Sequence, residues 1–204
     1  MKRSDERVIK AGCCGFRMSQ GEYAARFPVV EVQQTFYQPP QLKTLERWRA
    51  TAPPAFEFTL KAWQLITHEA RSPTYRRLKR ELTETERAEA GSFRPTAIVR
   101  EAWEVTLACA EALKATRVLF QCPSSFTPTQ EHVRDLRRFF KRIERPRGLV
   151  CLWEPRGLWP DELVRELCGE FDLVHVDTRL SCSRRVAHEP RARAGEMNFV
   201  PVSG

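Results

Sequence analysis

The sequence lacks the features that would place it in a membrane. No apolar run approaches the roughly 18 residues that a membrane-spanning helix needs. The amino-terminal segment MKRSDERVIKAG is charged where a secretory signal peptide would be apolar. The chain has 204 residues, of which 42% are hydrophobic, so it is long enough to bury a core. These features predict a globular, cytoplasmic protein without a membrane partner.

Motifs for cofactors and metals are also missing. The nine glycines form neither a GxGxxG pattern nor a GxxxxGKS or GxxxxGKT loop, so the usual dinucleotide and nucleotide sites have no support. The seven cysteines include no CxxC pair, and the four histidines show neither HExxH nor paired spacing. We therefore expect reduced cysteines and predict no cofactor and no metal. The adjacent pair Cys13 and Cys14 leaves a metal or redox role as a minor alternative.

What the sequence does contain is an alternation of short β-branched or aromatic runs with segments of helical period. The longest helical face carries Val99, Trp103, Leu107, Ala110 and Leu113. The alternation predicts a parallel sheet covered by helices. Because glycine-rich loops are absent, it favours a TIM-type (β/α) barrel over an open nucleotide-binding sheet. The six candidate strands are residues 8–13, 29–36, 56–61, 117–122, 149–154 and 173–177.

Polar side chains fall at the inward positions of these strands. Successive strand residues face opposite sides, and the apolar set should face the helices. The carboxyl ends of barrel strands form the active-site mouth of such enzymes. The residues predicted to ring that mouth are Gln33, Lys61, Gln121, Glu154 and Asp177. Glu31 and His175 are predicted to lie deeper, where pairing with each other or with Lys61 is the structural alternative.

Five segments, in order and spacing, resemble the YecE-like family, domain of unknown function 72: AGCCGF, FPVVEVQQTFYQPP, FEFTLKAWQLITH, LFQCPSSF and WEPRGLW. The resemblance covers residues 8–177 and implies a TIM-type barrel, which agrees with the strand and helix pattern. It implies no particular reaction, because the family has no established activity. The polar positions that recur in the family fall here on Gln33, Gln34, Thr35, Tyr37, Lys61, Thr67, His68, Gln121, Glu154 and Arg156.

The end of the chain departs from the family pattern, which continues with two further strands. We expect an incomplete barrel of about six βα units over residues 1–177. We also expect a basic tail at 178–204, with one short strand at 197–202. An open sheet edge would favour oligomerisation. The charged segment 70–96 is predicted as an insertion, either a lid over a site or a solvated excursion.

The first functional hypothesis is an enzyme, a hydrolase or lyase acting on a polar or anionic substrate. Glu154 would be a general acid or base, Lys61 would stabilise negative charge and His68 would move a proton. The predicted substrate-binding residues are Gln33, Gln34, Tyr37, Gln121, Arg156, Trp159 and Asp177, with Arg17 as a second anion ligand. The alternative interpretations are a surface position for His68 and a helix-packing role for Trp159.

Two other hypotheses remain. The net charge of +8, the basic residues 76–80 and the basic tail would suit a nucleic-acid-binding protein. The missing strands would suit a truncated, catalytically inactive barrel.

Overall fold

The computed structural model describes residues 9–177, which form an α/β fold with one parallel sheet. The strands follow one another across the sheet in chain order. They are β1 (Gly12–Cys14), β2 (Val29–Val32), β3 (Glu57–Lys61), β4 (Arg117–Gln121), β5 (Val150–Glu154) and β6 (Leu173–His175). The prediction of a parallel sheet is therefore confirmed. Within the described range β1 pairs only with β2 and β6 only with β5, so the sheet is not closed there.

Helices connect the strands, as parallel pairing requires. They are α1 (Gln20–Arg26), α2 (Gln34–Tyr37), α3 (Leu42–Thr51), α4 (Gln64–Thr67), α5 (Glu84–Glu89), α6 (Ala97–Leu113), α7 (Gln130–Arg142) and α8 (Asp161–Phe171). None of the helices in residues 9–177 has the length and apolar content to cross a bilayer.

The main core lies between the sheet and these helices. Alternate strand residues supply one side of it: Val30, Val32, Phe58, Leu60, Val118, Phe120, Cys151 and Trp153. The predicted apolar face of α6 supplies part of the other side, since Val99, Trp103, Ala110 and Leu113 are at most 4% exposed. Burying each large side chain of this kind stabilises the fold by about 1.5–3 kcal/mol. The opposite side chains of the same strands are left to face the sheet's other side.

Strand β2 ends earlier than predicted. It stops at Val32, and the residues up to Tyr37 form the short helix α2 instead of more strand. The Thr35 hydroxyl donates to the carbonyl oxygens of Val32 and Lys61, at 2.8 and 2.7 Å, and so fixes the chain as it leaves the strand. The contact with Lys61 joins two strands, so local sequence could not reveal it.

Strand β6 is also shorter than predicted, and His175 is exposed where a deep position was expected. Its strand is the last of the sheet within the described range. Asp177 is exposed as well. The predicted tail and its short strand lie outside the described residues.

The charged segment 70–96 contains a 3-10 helix (Pro73–Arg77) and α5, then returns to the core. Phe93 is fully buried, and its backbone N–H donates to the Ile66 carbonyl at 2.9 Å. Gly91 donates to the Leu65 carbonyl at 2.8 Å with a φ of +84°, where a Cβ atom would lie 2.4 Å from the His68 carbonyl oxygen. The end of this segment is thus packed against α4 and is not a solvated excursion.

Candidate functional site

A chain of polar contacts crosses the carboxyl ends of β3, β4 and β5. The Lys61 ammonium donates to Gln121 Oε1 at 2.9 Å, and Gln121 Nε2 donates to Glu154 Oε2 at 2.7 Å. Arg156 Nε donates to the other carboxylate oxygen of Glu154 at 2.6 Å. Strand register explains the arrangement, because Gln121 stands directly opposite Glu154 and both point to the inward side. Two cations and one carboxylate are thereby held in one network by an amide that both donates and accepts.

Glu31 lies next to Lys61 and adds a second carboxylate to this network. Its Oε1 lies 4.0 Å from the Lys61 Nζ, and the residue is only 4% exposed. Among residues 9–177, that oxygen has no hydrogen-bond partner. Burial raises the pKa of Glu31, while the Lys61 charge acts in the opposite direction. Pairing of Glu31 with Lys61, the structural alternative from the sequence, is what the structure shows, whereas His175 lies at an exposed position.

Cys14 stands opposite Glu31 in the neighbouring strand. Burial, together with the negative charge of Glu31, raises the pKa of its thiol to about 11. A thiol with this pKa stays protonated near neutral pH and is a poor nucleophile and a poor metal ligand. Within residues 9–177 no group of three or more His, Cys, Asp or Glu side chains is placed to hold a metal ion.

His68 is buried beside the network, which overturns the interpretation of a surface histidine. It is 6% exposed, and its Nδ1 lies 2.8 Å from the Thr67 hydroxyl. Its ring meets the Phe36 ring edge to face at 4.9 Å, and the Lys61 Nζ lies 5.6 Å from the centroid of the same Phe36 ring. Burial lowers the pKa of His68 to about 4, and the charges of Lys61 and Arg156 act in the same direction. The imidazole is therefore neutral near pH 7.

The remaining predicted site residues are more scattered. Gln33 is half-buried at the end of β2, whereas Gln34 is exposed on α2. The Tyr37 ring is covered by the Arg77 guanidinium, whose carbon lies 3.6 Å from the ring centroid. Arg17 is exposed.

Trp159 lies in the core and not at an open binding surface. It is 8% exposed, its indole N–H donates to the Phe126 carbonyl at 2.7 Å, and its ring packs against Trp153 at 5.1 Å. This position favours a structural role in the core over a flat face offered to a substrate, although the contacts are with β5 and the loop of Phe126 and not with a helix.

Sequence reasoning missed Phe36 and Cys14 as neighbours of the network. Phe36 was assigned to strand β2, where its side chain would follow the strand alternation, but α2 turns it toward Lys61 and His68. The order of the strands would have predicted that Cys14 lies near Glu31, because Cys14 is the last residue of β1 and stands opposite Glu31 of the neighbouring β2.

Parallel strands in chain order, joined by helices, define the broad class of α/β proteins, in which the fold by itself does not determine the function. Within that class, the family model "Protein of unknown function DUF72" matches residues 18–194. The chain belongs to this family. No curated protein matches it.

Two solved structures of the same family resemble the chain. A DUF72 family protein from Enterococcus faecalis is 19% identical with a TM-score of 0.57, covering 84% of this chain and 63% of that one. A DUF72 family protein from Thermotoga maritima is 17% identical with a TM-score of 0.57, covering 82% and 64%. The chain thus spans less than two thirds of the length of either protein, and at these identities the likeness concerns the fold alone.

Proposed function

We propose that this chain is an enzyme, a hydrolase or lyase, that binds a small anionic substrate at the carboxyl ends of β3 to β5. The observation that carries the proposal is the continuous network of Lys61, Gln121, Glu154 and Arg156 across these three strands. We further propose that the six strands are part of a TIM-type barrel, because parallel strands in chain order joined by helices are the repeating unit of that fold.

The network retains donors for an anion. Lys61 carries three N–H groups, of which one donates to Gln121 within the described range. Arg156 uses its Nε for Glu154, its side chain is 48% exposed, and its two terminal nitrogens carry further N–H donors. Two cations that a shared framework holds in place suit a carboxylate or a phosphate.

The chemistry that these groups support is proton transfer beside a stabilised negative charge. Neutral His68 can accept a proton, from water in hydrolysis or from the substrate in lysis, while Lys61 stabilises the charge that develops. Both Glu154 oxygens accept hydrogen bonds, so this carboxylate orients Gln121 and Arg156. We therefore assign Glu154 a positioning role and place the proton transfer at His68.

The nucleic-acid hypothesis receives less support from the same contacts. Arg77 of the basic segment lies on the Tyr37 ring, and Arg80 donates to Glu86 and Glu101 at 2.7 and 2.5 Å. These charges have partners within the fold, so fewer of them are available to phosphates.

A matched pair of variants tests whether the Lys61 charge is needed for anion binding while Glu31 is neutral in both. Glu31→Gln keeps Lys61, whereas the double variant Glu31→Gln/Lys61→Met removes it and leaves neither charge buried. A panel of small carboxylates and phosphates is screened by thermal shift, and the hits are measured by calorimetry. We expect Glu31→Gln to retain binding and the double variant to lose about tenfold or more in affinity.

Equal affinity in both variants would refute the role of Lys61, and an absence of hits with the wild-type protein would refute the site. Turnover of a bound compound that survives His68→Asn would refute the proton transfer. Binding without any turnover would favour the catalytically inactive barrel.

A further inference from the structure

A groove lies between α6 and α7, on the helical layer and away from the charged network. It has a volume of about 440 Å³, within the range usual for small-ligand sites. Its floor is apolar and largely aromatic, formed by Phe93, Val99, Trp103 and Phe139, which are all buried. A ligand seated there would lay an apolar part against this floor.

The rim of the groove is charged. It carries Arg94, Arg100, Arg138 and Arg142, together with Glu104 and Glu144. Arg94 is held by Glu69 at 2.9 Å. The other three arginines and both glutamates form no ion pair within residues 9–177, and Arg100, Arg138 and Arg142 are exposed. The rim therefore offers three guanidinium groups that no carboxylate of the described residues occupies.

The contrast with the rest of α7 shows that unpaired arginines are specific to this side. Arg137 donates to Glu170 at 2.8 Å and also to Glu166. Arg134 contacts Asp135 at 3.2 Å. Arginines of α7 that do not line the groove are thus paired with carboxylates, whereas the two that line it have no carboxylate partner in the part of the chain that the structure describes.

We propose that this groove binds a small amphipathic carboxylate. Its apolar body lies over the Trp103 and Phe139 side of the groove, and its carboxylate lies between Arg138 and Arg142. These two arginines are four residues apart on one helix, so their side chains are neighbours on the same face. A guanidinium group presents paired N–H donors that match the two oxygens of a carboxylate. The groove is separate from the network of Lys61 and Glu154, and its ligand need not be the substrate.

Trp103 provides a local probe of occupancy. Its indole N–H donates to the Glu144 carbonyl at 3.3 Å, and both residues line the groove. Octanoate is titrated into isotope-labelled protein, and the indole resonance assigned with Trp103→Phe is followed by NMR. Octanamide, which has the same chain and no charge, is the matched ligand. We expect a saturable shift, with octanoate binding about tenfold more tightly than octanamide.

Arg138→Gln/Arg142→Gln removes the two cations from exposed positions, and Arg165→Gln is the control, since Arg165 is exposed on α8. We expect the double variant to lose the preference for octanoate and the control to keep it. A Trp103 resonance that does not move, equal affinities for the two ligands, or an unchanged preference in the double variant would each overturn the proposal.

Discussion

Lys61→Met should destabilise the protein strongly, and the loss should depend on Glu31. The two charged atoms are 4.0 Å apart, and their side chains are only 10% and 5% exposed. At that distance their attraction is about 4 kcal/mol for an effective dielectric constant near 20. Removing one member of a buried pair typically costs about 3–5 kcal/mol, because the other charge is left unpaired. We expect a loss in that range at about pH 7.

The loss of stability in Lys61→Met should be smaller at acidic pH, because Glu31 is protonated there. Burial raises its pKa in the folded state above 4.5, so the folded protein holds this proton at higher pH than the unfolded chain does. The stability linked to that proton is present below the unfolded pKa and is lost as pH rises through the folded pKa. Removing the Lys61 charge raises the folded pKa further. The deficit of Lys61→Met should therefore be larger at about pH 7 than at about pH 4.5.

Urea unfolding of four proteins measures this coupling: the wild type, Glu31→Gln, Lys61→Met and the double variant. We expect the double variant to be more stable than Lys61→Met, because Glu31→Gln removes the carboxylate that Lys61→Met leaves unpaired. If the double variant were as unstable as Lys61→Met alone, or if the loss did not depend on pH, the interaction would not be the cause. Lys43→Met, at an exposed position of α3, controls for the loss of a lysine and should change little.

Three further predictions concern the surroundings of the network. Gly91→Ala should destabilise the protein by clearly more than Gly148→Ala, for which we expect a loss of roughly 1 kcal/mol, because φ is positive at both glycines but an added Cβ clashes with backbone only at Gly91. Thermal unfolding compares the two variants, and equal losses would contradict the clash. The His68 imidazole should stay neutral in the folded protein until the pH falls toward 4, so the free energy of unfolding should decrease as the pH drops below 6.5, where the unfolded chain takes up this proton. NMR titration measures the pKa of His68, and a value near 6.5 would contradict its burial. Leu136→Ala should lower the free energy of unfolding by about 2–5 kcal/mol because Leu136 is fully buried, whereas Leu158→Ala, at a 91% exposed position, should change it by less than about 0.5 kcal/mol. Similar urea midpoints for the two variants would contradict this packing.

Much of the fold could be predicted because it depends on local pattern. The spacing of Val99, Trp103 and Leu113 predicts the buried face of α6, and all three residues are buried there. The alternation in β2 and β3 placed Glu31 and Lys61 on the side away from the helices, and these two side chains do meet there. Inward position follows from the two-residue period of a strand, which needs no knowledge of the neighbours.

Other features of the site could not be predicted, because they depend on residues far apart in the chain. The end of β2 is set by Thr35 bonding to Lys61, and His175 is exposed on the last strand of the described sheet. Trp159 was a candidate binding surface by residue type, but the Phe126 carbonyl takes its N–H inside the core. A side chain's chemistry suggests what it can contact, whereas packing decides what it does contact.

The sequence by itself determined that this protein is an α/β protein of the DUF72 family, with parallel strands in chain order and polar residues on the inward side of the sheet. These properties arise from periodicity and residue type. Only the tertiary structure decided that Gln121 links Lys61 to Glu154, that Glu31 is buried beside Lys61, and that His68 is neutral. Burial and hydrogen-bond partners set the charge state of each group, and both arise when distant segments of the chain come together.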